Sequence, residues 1–237
     1  MRFLTENILG SYNGQTSFMA SSGNVYNAFS DTTKFNYQSE GQNFDGDVVE
    51  LEQGSSSEQS LDTIVVLACN FKDFTISTAS GGAFSDVTSQ ASLTKNSDNS
   101  ARLYKFQTPI QFTEIKFSIS DTIVPDQEKT CGAILGMTQI GSIKRFKSVK
   151  PKGKVQKKIL NLESGGVAVL NKGEVHWELG INTDLVSVQD EIDTVAFIQN
   201  STEDFWLWIN DGYDGQETVK QEPYRFQDWI RCSYTGG

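Results

Sequence analysis

Hydrophobic positions are densest between Ile64 and Cys69, where six apolar residues, "IVVLAC", stand in a row. A polar break follows, and then an alternating stretch, "DFTI", that ends at Ile76. A short unbroken apolar run predicts a central β-strand covered on both faces, whereas alternation predicts a strand with one wet face. The pattern therefore predicts two neighbouring strands here, with no catalytic motif beside them.

The rest of the first 140 residues alternates between strand-like stretches and turn clusters. A period of two places Ile115, Phe117 and Ile119 on one face of a strand. The polar stretch "SSSEQS" after Gly54 predicts a loop, and Pro109 predicts a break between strands. The strand-like stretches of this half are "NVYNAFSD" (24–31), "DVVELEQ" (47–53), "RLYKFQ" (102–107), "IQFTEIKFSIS" (110–120) and "CGAILGMTQIGSI" (131–143).

Strand-like patterns resume in the second half of the chain. They are "GGVAVLNKGEVHWELGIN" (165–182), "DTVAFIQN" (193–200), "DFWLWIND" (204–211) and "DWIRCSYTG" (228–236). The stretch "LVSVQDEID" (185–193) fits a short helix or a turn. Fifteen Phe, seven Tyr and four Trp in 237 residues favour sheets over helices. We therefore predict an all-β protein with an N-terminal domain (1–143), a connecting segment (144–158) and a smaller C-terminal β domain (159–237).

Four stretches of the N-terminal half together match a known domain pattern. They are "ASSGNVYNAFSDTTKFNYQSEG" (20–41), "GDVVELEQGSSSEQSLDTIVVLACNFKDFTIS" (46–77), "FTEIKFSIS" (112–120) and "CGAILGMTQIG" (131–141). This pattern resembles the discoidin-like, galactose-binding-like jelly roll. The variant with "NFKDFTI" (70–76) is also similar to accessory domains of bacteriophage tail and baseplate proteins. The resemblance implies a jelly-roll β-sandwich over about residues 21–143, without the terminal cysteine pair that closes secreted discoidin domains.

Charge is unevenly distributed along the chain. The formal net charge of −10 argues against a general affinity for nucleic acid, yet eight of the 20 basic residues fall within 144–158. This basic stretch is a solvated linker, a strap that docks on an acidic face of another subunit, or a nucleic-acid contact. The near absence of aromatic residues within it disfavours the third interpretation. Its basic residues are Lys144, Arg145, Lys147, Lys150, Lys152, Lys154, Lys157 and Lys158.

The sequence shows no convincing set of catalytic residues. His176 is the only histidine and stands beside a tryptophan in "GEVHWELG", so a packed residue is favoured over a general base. Paired carboxylates of a glycoside hydrolase would have to come from pairs such as Glu50 with Glu52 or Asp204 with Asp211. With 30 acidic residues in the chain, such pairs arise by accident. We therefore predict that the protein is not an enzyme.

Neither a metal site nor a disulfide framework is predicted. The turns "FDGD" (44–47) and "NDGYDGQE" (210–217) offer oxygen ligands for calcium but lack the spacing of an EF-hand, so tight turns are favoured. Cys69, Cys131 and Cys232 are far apart and odd in number. The first two lie in apolar runs, where a thiol acts as a small hydrophobe. We expect no cofactor.

The strand-like stretch "DFWLWIND" has aromatic residues on both faces. Alternation places Trp206 and Trp208 on one face, and Phe205, Leu207 and Ile209 on the other. Core packing is the simpler interpretation of this pattern. The alternative is that Trp206 and Trp208 form a face offered to a glycan or a protein partner.

The resemblance implies two functions that involve no turnover. The favoured one is a structural virion protein of a tailed bacteriophage or phage-like particle, in the tail or baseplate, assembled in the host cytoplasm. It would contact other copies of itself and other virion proteins, with the basic stretch as the contact. The alternative is a carbohydrate-binding module that attaches to a host glycan. No signal peptide and no apolar run of membrane-spanning length are evident, so no membrane span is predicted.

Overall fold

In a computed structural model the chain is mostly antiparallel β-structure, which confirms the predicted all-β class. The structure describes residues 2–5, 7–10, 15–30, 36–42, 44–95, 101–142, 146–154, 157–161, 167–171, 176–183, 189–200, 205–208 and 229–232. Strands of the N-terminal half are β1 (Arg2–Leu4), β2 (Gln15–Ala20), β3 (Tyr37–Gln38), β4 (Val49–Leu67), β5 (Phe74–Ala79), β6 (Ser85–Asp86), β7 (Ala91–Lys95), β8 (Arg102–Ile119), β9 (Thr130–Cys131), β10 (Ala133–Met137) and β11 (Gln139–Ser142). Strands of the C-terminal half are β12 (Phe146–Lys154), β13 (Lys157–Asn161), β14 (Val167–Asn171), β15 (His176–Thr183), β16 (Phe205–Trp208) and β17 (Trp229–Cys232). The described helices are α1 (Val25–Ala28), a 3-10 turn (Thr88–Gln90) and α2 (Gln189–Asn200).

Two long strands, β4 and β8, organise the N-terminal half. The first part of β4 pairs with the second part of β8, and this unit also binds β2, β5 and β6. The second part of β4 pairs with the first part of β8, and this unit binds β10 and β7. Between the two units the pairing slips twice: residues 55–58 lie opposite Thr113 alone, and residues 106–109 lie opposite Asp62 alone. The two strands therefore pass through both layers of a sandwich.

The structure corrects three sequence predictions, two of them through the continuity of β4 and β8. The "SSSEQS" stretch, predicted as a loop, lies inside β4, and Pro109, predicted to separate two strands, lies inside β8. Both fall where the pairing slips. A residue in such a bulge makes no ladder hydrogen bond, so the missing N–H of proline costs nothing there. "NVYNAFSD" forms α1 instead of a strand, since the Asn24 side chain accepts a hydrogen bond from Tyr26 N and caps the helix.

The main core lies between the two layers. Ile115, Phe117 and Ile119 are fully buried there, which confirms the predicted period of two. Phe117 contacts the rings of Phe29 and Phe74, with centroids 5.8 Å and 5.4 Å away. Each such side chain contributes roughly 1.5–3 kcal/mol through burial. This core fixes the two layers relative to each other.

The first four residues of the apolar run, Ile64 to Leu67, are buried in β4 as predicted, but the strand ends at Leu67 and Ala68 is exposed with a φ of +48°. Ile64 and Val66 belong to the main core, whereas Val65 and Leu67 belong to a second cluster on the outer face of the same layer. Leu4 of β1 completes that second cluster. A strand that is covered on both faces carries apolar residues at successive positions instead of alternating apolar and polar ones, which explains the unbroken run.

The described strands of the C-terminal half form smaller sheets than the main sheet of the N-terminal half. β12 pairs with β15, and β13 with β14, in separate two-stranded sheets. A four-stranded sheet in the order β11-β1-β16-β17 contains strands from both sides of the predicted boundary near residue 143, and the domain division stays a prediction. "DTVAFIQN", predicted as a strand, belongs to α2, which packs against β11 with Thr194 over Gly141. Among the described residues, no helix is long and apolar enough to cross a membrane.

Candidate functional site

A polar cleft of about 310 Å³ lies where α1, β3 and the segment before β9 meet. Its walls are side chains that carry amide, hydroxyl or carboxylate groups: Asn24, Asn27, Asn36, Gln38, Ser39, Glu40 and Glu128. All of them except Ser39, which is fully buried and whose hydroxyl accepts from Lys129 N, can form hydrogen bonds with a ligand. The cleft therefore combines a definite shape with hydrogen-bonding groups drawn from three segments of the chain.

The first wall of the cleft is α1 with its cap. Val25 and Ala28 are buried in the core and hold the short helix in place. Asn24 uses its side-chain oxygen to cap the helix, accepting from Tyr26 N at 3.1 Å. Asn27 donates its side-chain amide to the Asn36 carbonyl at 3.3 Å, which ties the helix to the residue preceding β3. Among the described residues, the Asn24 amide nitrogen and the Asn27 amide oxygen have no partner and are available to a ligand.

The second wall is β3 and the residues after it. Ser22 Oγ donates to the Glu40 carbonyl (3.0 Å) and accepts from Glu40 N (2.7 Å), and Tyr37 Oη donates to the Ser22 carbonyl (2.6 Å). Gly23 stands between them with a φ of +73°, and a Cβ there would lie only 2.2 Å from the Gln38 carbonyl oxygen. The close approach of the two segments thus requires glycine at this position.

The third wall is the segment before β9, which carries Glu128. The Asn70 side chain fixes the backbone of this segment with two hydrogen bonds. Its Nδ2 donates to the Glu128 carbonyl (2.8 Å), and its Oδ1 accepts from Thr130 N (2.9 Å). Gln38 Nε2 donates to Glu128 Oε2 across the cleft. The Glu128 carboxylate is therefore oriented by β3 rather than by solvent alone.

A buried lysine behind the cleft connects it to the neighbouring loop. Lys129 is fully buried, and its ammonium donates to the carbonyls of Gln42 (2.8 Å) and Phe44 (2.9 Å). Its backbone N–H donates to Ser39 Oγ (2.9 Å), and its carbonyl accepts from Ser39 N (2.9 Å). Hydrogen bonds to a charged group are the stronger kind, so this residue fixes the loop against the cleft.

The electrostatic character of the cleft is acidic. Within the described part of the chain, the exposed Glu40 carboxylate makes no hydrogen bond or ion pair. Burial raises the pKa of the nearby Tyr37 phenol above its ordinary value, and the electrostatic effect of Cys131 and Glu40 raises it further. Tyr37 is thus a neutral donor at physiological pH. The groups that face the cleft suit a ligand rich in hydroxyl groups, because hydroxyls both donate and accept.

The structure does not bring the predicted site residues into this cleft. Lys147, Lys150, Lys152 and Lys154 lie on β12, and Lys157 and Lys158 lie on β13. In the β12–β15 register, Lys152 is opposite Glu178 and Lys154 is opposite His176. Lys144 and Arg145 lie outside the described residues. The role of this basic stretch as linker, docking strap or nucleic-acid contact stays a prediction.

The tryptophans lie in a sheet that includes the N-terminus of the chain. In the backbone register, Trp206 is opposite Leu4 and Trp208 is opposite Arg2. β17 pairs on the other side of β16. β16 is therefore an inner strand, and the proposed glycan or partner face of its tryptophans stays a prediction.

The remaining candidates from the sequence are the two turns considered for calcium and the two carboxylate pairs. "FDGD" forms a tight turn with Gly46 at a φ of +92°, and Phe44 N donates to Asp47 Oδ2 at 3.2 Å, as the turn prediction expects. The described residues contain no group of three or more His, Cys, Asp or Glu side chains placed to hold a metal ion. Glu50 and Glu52 share Lys116 as an ion-pair partner at 3.1 Å and 3.9 Å. Residues 210–217, Asp204 and Asp211 lie outside the described residues.

Sequence reasoning missed the cleft although it used the segment that builds it. Six of the seven cleft residues fall within 20–41, the first stretch of the resemblance. Its signal is a density of Asn, Gln and Ser around one short apolar segment. Glu128 is 88 residues beyond Glu40, and only the pairing of β3 with β9 brings it to the same place.

Comparisons with known proteins identify structures of similar shape but no sequence relative. No protein-family model matches the sequence, and no curated protein matches it. The family 32 carbohydrate-binding module of NanJ from Clostridium perfringens, solved with galactose, is 14% identical with a TM-score of 0.43, over 51% of this chain and 92% of that one.

Two further structures are similar at the same level. A chitosan-binding module of a chitosanase/glucanase from Paenibacillus sp. IK-5 is 14% identical with a TM-score of 0.44, over 56% of this chain and 98% of that one. The tandem CBM32 domains of ZmpB from Clostridium perfringens, solved with GalNAc, are 14% identical with a TM-score of 0.43, over 57% of this chain and 35% of that one. Similarity at this level assigns no ligand to the present chain.

Proposed function

We propose that this protein is a carbohydrate-binding module that holds a neutral glycan in the polar cleft and catalyses no reaction. The observation that carries the proposal is the cleft itself: six amide and carboxylate side chains line it from three segments of the chain, and the fully buried Ser39 lies beneath them. Binding sites of this kind use a few fixed polar groups to orient a ligand. The sandwich supplies the rigidity, and the short segments around it supply the polar groups.

Sugar hydroxyls match the hydrogen-bonding groups that remain available. Asn24 offers an amide donor, because its oxygen is already used in the helix cap. Asn27 offers an amide oxygen, and Glu40 offers a carboxylate that accepts without competition from a described residue. A pair of neighbouring hydroxyls can donate to a carboxylate and accept from an amide at the same time. These groups therefore support a vicinal diol as the part of the sugar that the cleft recognises.

Charge indicates the class of sugar. Glu40 and Glu128 both line the cleft, and the chain as a whole carries a formal charge of −10. An anionic sugar, such as a uronic or sialic acid, would place its carboxylate beside these groups, and like charges repel. Neutral hexoses and N-acetylhexosamines avoid that cost. We therefore expect neutral glycans to bind more tightly than acidic ones.

Binding to a panel of neutral and acidic oligosaccharides tests the proposal. Glu40→Ala removes a carboxylate that no described residue needs, so the fold should survive while binding weakens roughly 10- to 100-fold, as expected for a hydrogen bond to a charged group. Glu114→Ala is the matched control, since Glu114 is exposed on β8 outside the cleft. Unchanged affinity in Glu40→Ala, or release of a reaction product from the bound glycan, would contradict the proposal.

The virion-protein interpretation stays a prediction. It rests on the resemblance to phage tail and baseplate domains and on the basic stretch 144–158. No observation in the described residues favours it over glycan binding. Self-assembly through that stretch is testable by the salt dependence of the oligomeric state.

A further inference from the structure

Two cysteines lie close together next to the paired strands β4 and β10: Cys69 follows the end of β4, and Cys131 is the last residue of β9, just before β10. The pairing of β4 with β10 ends at Leu67 and Ala133, and the exposed Ala68, with a φ of +48°, then turns Cys69 into the main core where Cys131 also lies. Backbone hydrogen bonds flank this position, from Gly132 N to the Leu67 carbonyl (2.8 Å) and from Asn70 N to the Thr130 carbonyl (3.2 Å). The two cysteines are 62 positions apart in sequence, so only the fold places them side by side.

The two side chains also share one environment. Both belong to the main core, with exposed fractions of 4% for Cys69 and 0% for Cys131. Burial raises the pKa of the Cys131 thiol, and the proximity of Cys69 raises it further, so the thiolate that exchange requires forms more readily as the pH rises. Residues paired in an antiparallel ladder have Cα atoms about 4.5–5.5 Å apart, and the two flanking hydrogen bonds keep Cys69 and Cys131 near such a separation although the ladder itself ends at Leu67. A disulfide spans Cα separations of about 4.4–6.8 Å, so the backbone needs little adjustment to accept one.

We propose that Cys69 and Cys131 form an oxidisable pair that closes to a cross-strand disulfide by exchange with a small-molecule disulfide such as oxidised glutathione. Cys69, the more exposed of the two, attacks one sulfur of the reagent as its thiolate and releases one molecule of the reduced thiol. The Cys131 thiolate then attacks the Cys69 sulfur of this mixed disulfide and releases the second. One S–S bond forms and one breaks, and the two thiol protons end on the two released thiols.

The bond would lie directly behind the cleft. Cys131 pairs with Tyr37 of β3 on its other side, and the next residue of β3, Gln38, lines the cleft. Asn70, adjacent to Cys69, holds the Glu128 segment. A covalent link at this position fixes two of the three walls to the core strand β4. The proposal concerns the oxidation state and stability of the chain, and it holds whether or not the cleft binds a glycan.

The experiment uses the full chain with Cys232→Ser, which removes the third thiol as a competing partner. The folded protein is equilibrated with oxidised or reduced glutathione, denatured, alkylated and weighed by mass spectrometry, and an unreduced digest is mapped. Matched controls are Cys69→Ser and Cys131→Ser in the same background. The unsubstituted chain is digested in parallel, so that the result does not depend on any variant folding.

The expected product has lost two hydrogens, takes up no alkylating reagent and yields one peptide that joins Cys69 to Cys131. Its thermal midpoint should lie on the order of 10 °C above that of the reduced form, because the link closes a long loop. The single-cysteine controls should show no such rise. The proposal is overturned if both cysteines stay open to alkylation, if each retains a separate glutathione, if either pairs with Cys232 in the unsubstituted chain, or if oxidation lowers the midpoint.

Discussion

Replacing Gly23 by alanine should damage the cleft and the stability of the protein together. Gly23 has a φ of +73°, and an added Cβ would lie 2.2 Å from the Gln38 carbonyl oxygen, more than 1 Å short of the 3.4 Å at which ordinary contact begins. That oxygen is backbone, so the neighbour cannot rotate away. The segment from Ser22 to Asn24 must separate from β3, which puts the Ser22–Glu40 and Tyr37–Ser22 hydrogen bonds at risk.

Gly41 provides the matched control for this substitution. Its φ of +71° is nearly the same, yet an added Cβ would meet nothing within 4 Å. Gly41→Ala therefore carries the cost of the left-handed backbone alone, about 1–2 kcal/mol, reduced by about 0.4–1 kcal/mol because alanine restricts the unfolded chain. Gly23→Ala adds an overpacking cost of about 1–3 kcal/mol to that. The difference between the two variants isolates the clash.

Urea denaturation of both variants measures this difference directly. Gly23→Ala should lose about 1–3 kcal/mol more unfolding free energy than Gly41→Ala, or a further few degrees of melting temperature. Glycan binding should weaken in Gly23→Ala only. Equal destabilisation of the two variants would refute the reasoning, because it would mean that β3 does not lie against Gly23 as described.

Three further predictions concern the core packing at Gly136, the ionisation of Tyr37 and the basic stretch 144–158. Gly136→Ala should destabilise the fold by about 1–3 kcal/mol in urea melts, because its Cβ would meet Leu9 Cγ at 2.6 Å and Leu61 Cδ2 at 2.8 Å in the main core. Stability should fall as the pH rises above 10, the ordinary Tyr37 pKa, because burial keeps this phenol neutral in the folded chain while the unfolded chain ionises; Tyr37→Phe should flatten that pH dependence. If the basic stretch docks on an acidic face of another copy, light scattering should show an oligomer at low salt that dissociates at high salt, whereas a monomer at both salts would count against self-assembly.

The fold class was predictable because burial leaves a periodic record in the sequence. Ile115, Phe117 and Ile119 alternate because one face of β8 is buried, and residues 64–67 do not alternate because both faces of β4 are covered there. The joining of short strands into β4 and β8 was not predictable. Polar residues and Pro109 normally end a strand, and they are tolerated here only because the β4–β8 pairing slips where they occur.

The candidate site was harder to predict because its parts are individually ordinary. Asn and Ser are common in turns, and a lone Glu on a connecting segment carries no signal of its own. What makes Glu128 a cleft residue is the Asn70 side chain that holds its backbone and the Gln38 amide that meets its carboxylate. Both are contacts between residues distant in sequence. The conspicuous features, by contrast, were the tryptophans and the lysines, which lie elsewhere.

The most direct test of the central claim is an NMR titration of the isotope-labelled protein with a neutral oligosaccharide, following the side-chain amide and tryptophan indole signals. The account predicts that the amide signals of Asn24, Asn27 and Gln38 shift together and saturate, while the indole signals of Trp206 and Trp208 stay unchanged. Shifts at the indoles with silent cleft amides would contradict it, and would place glycan binding on the aromatic face of β16 instead.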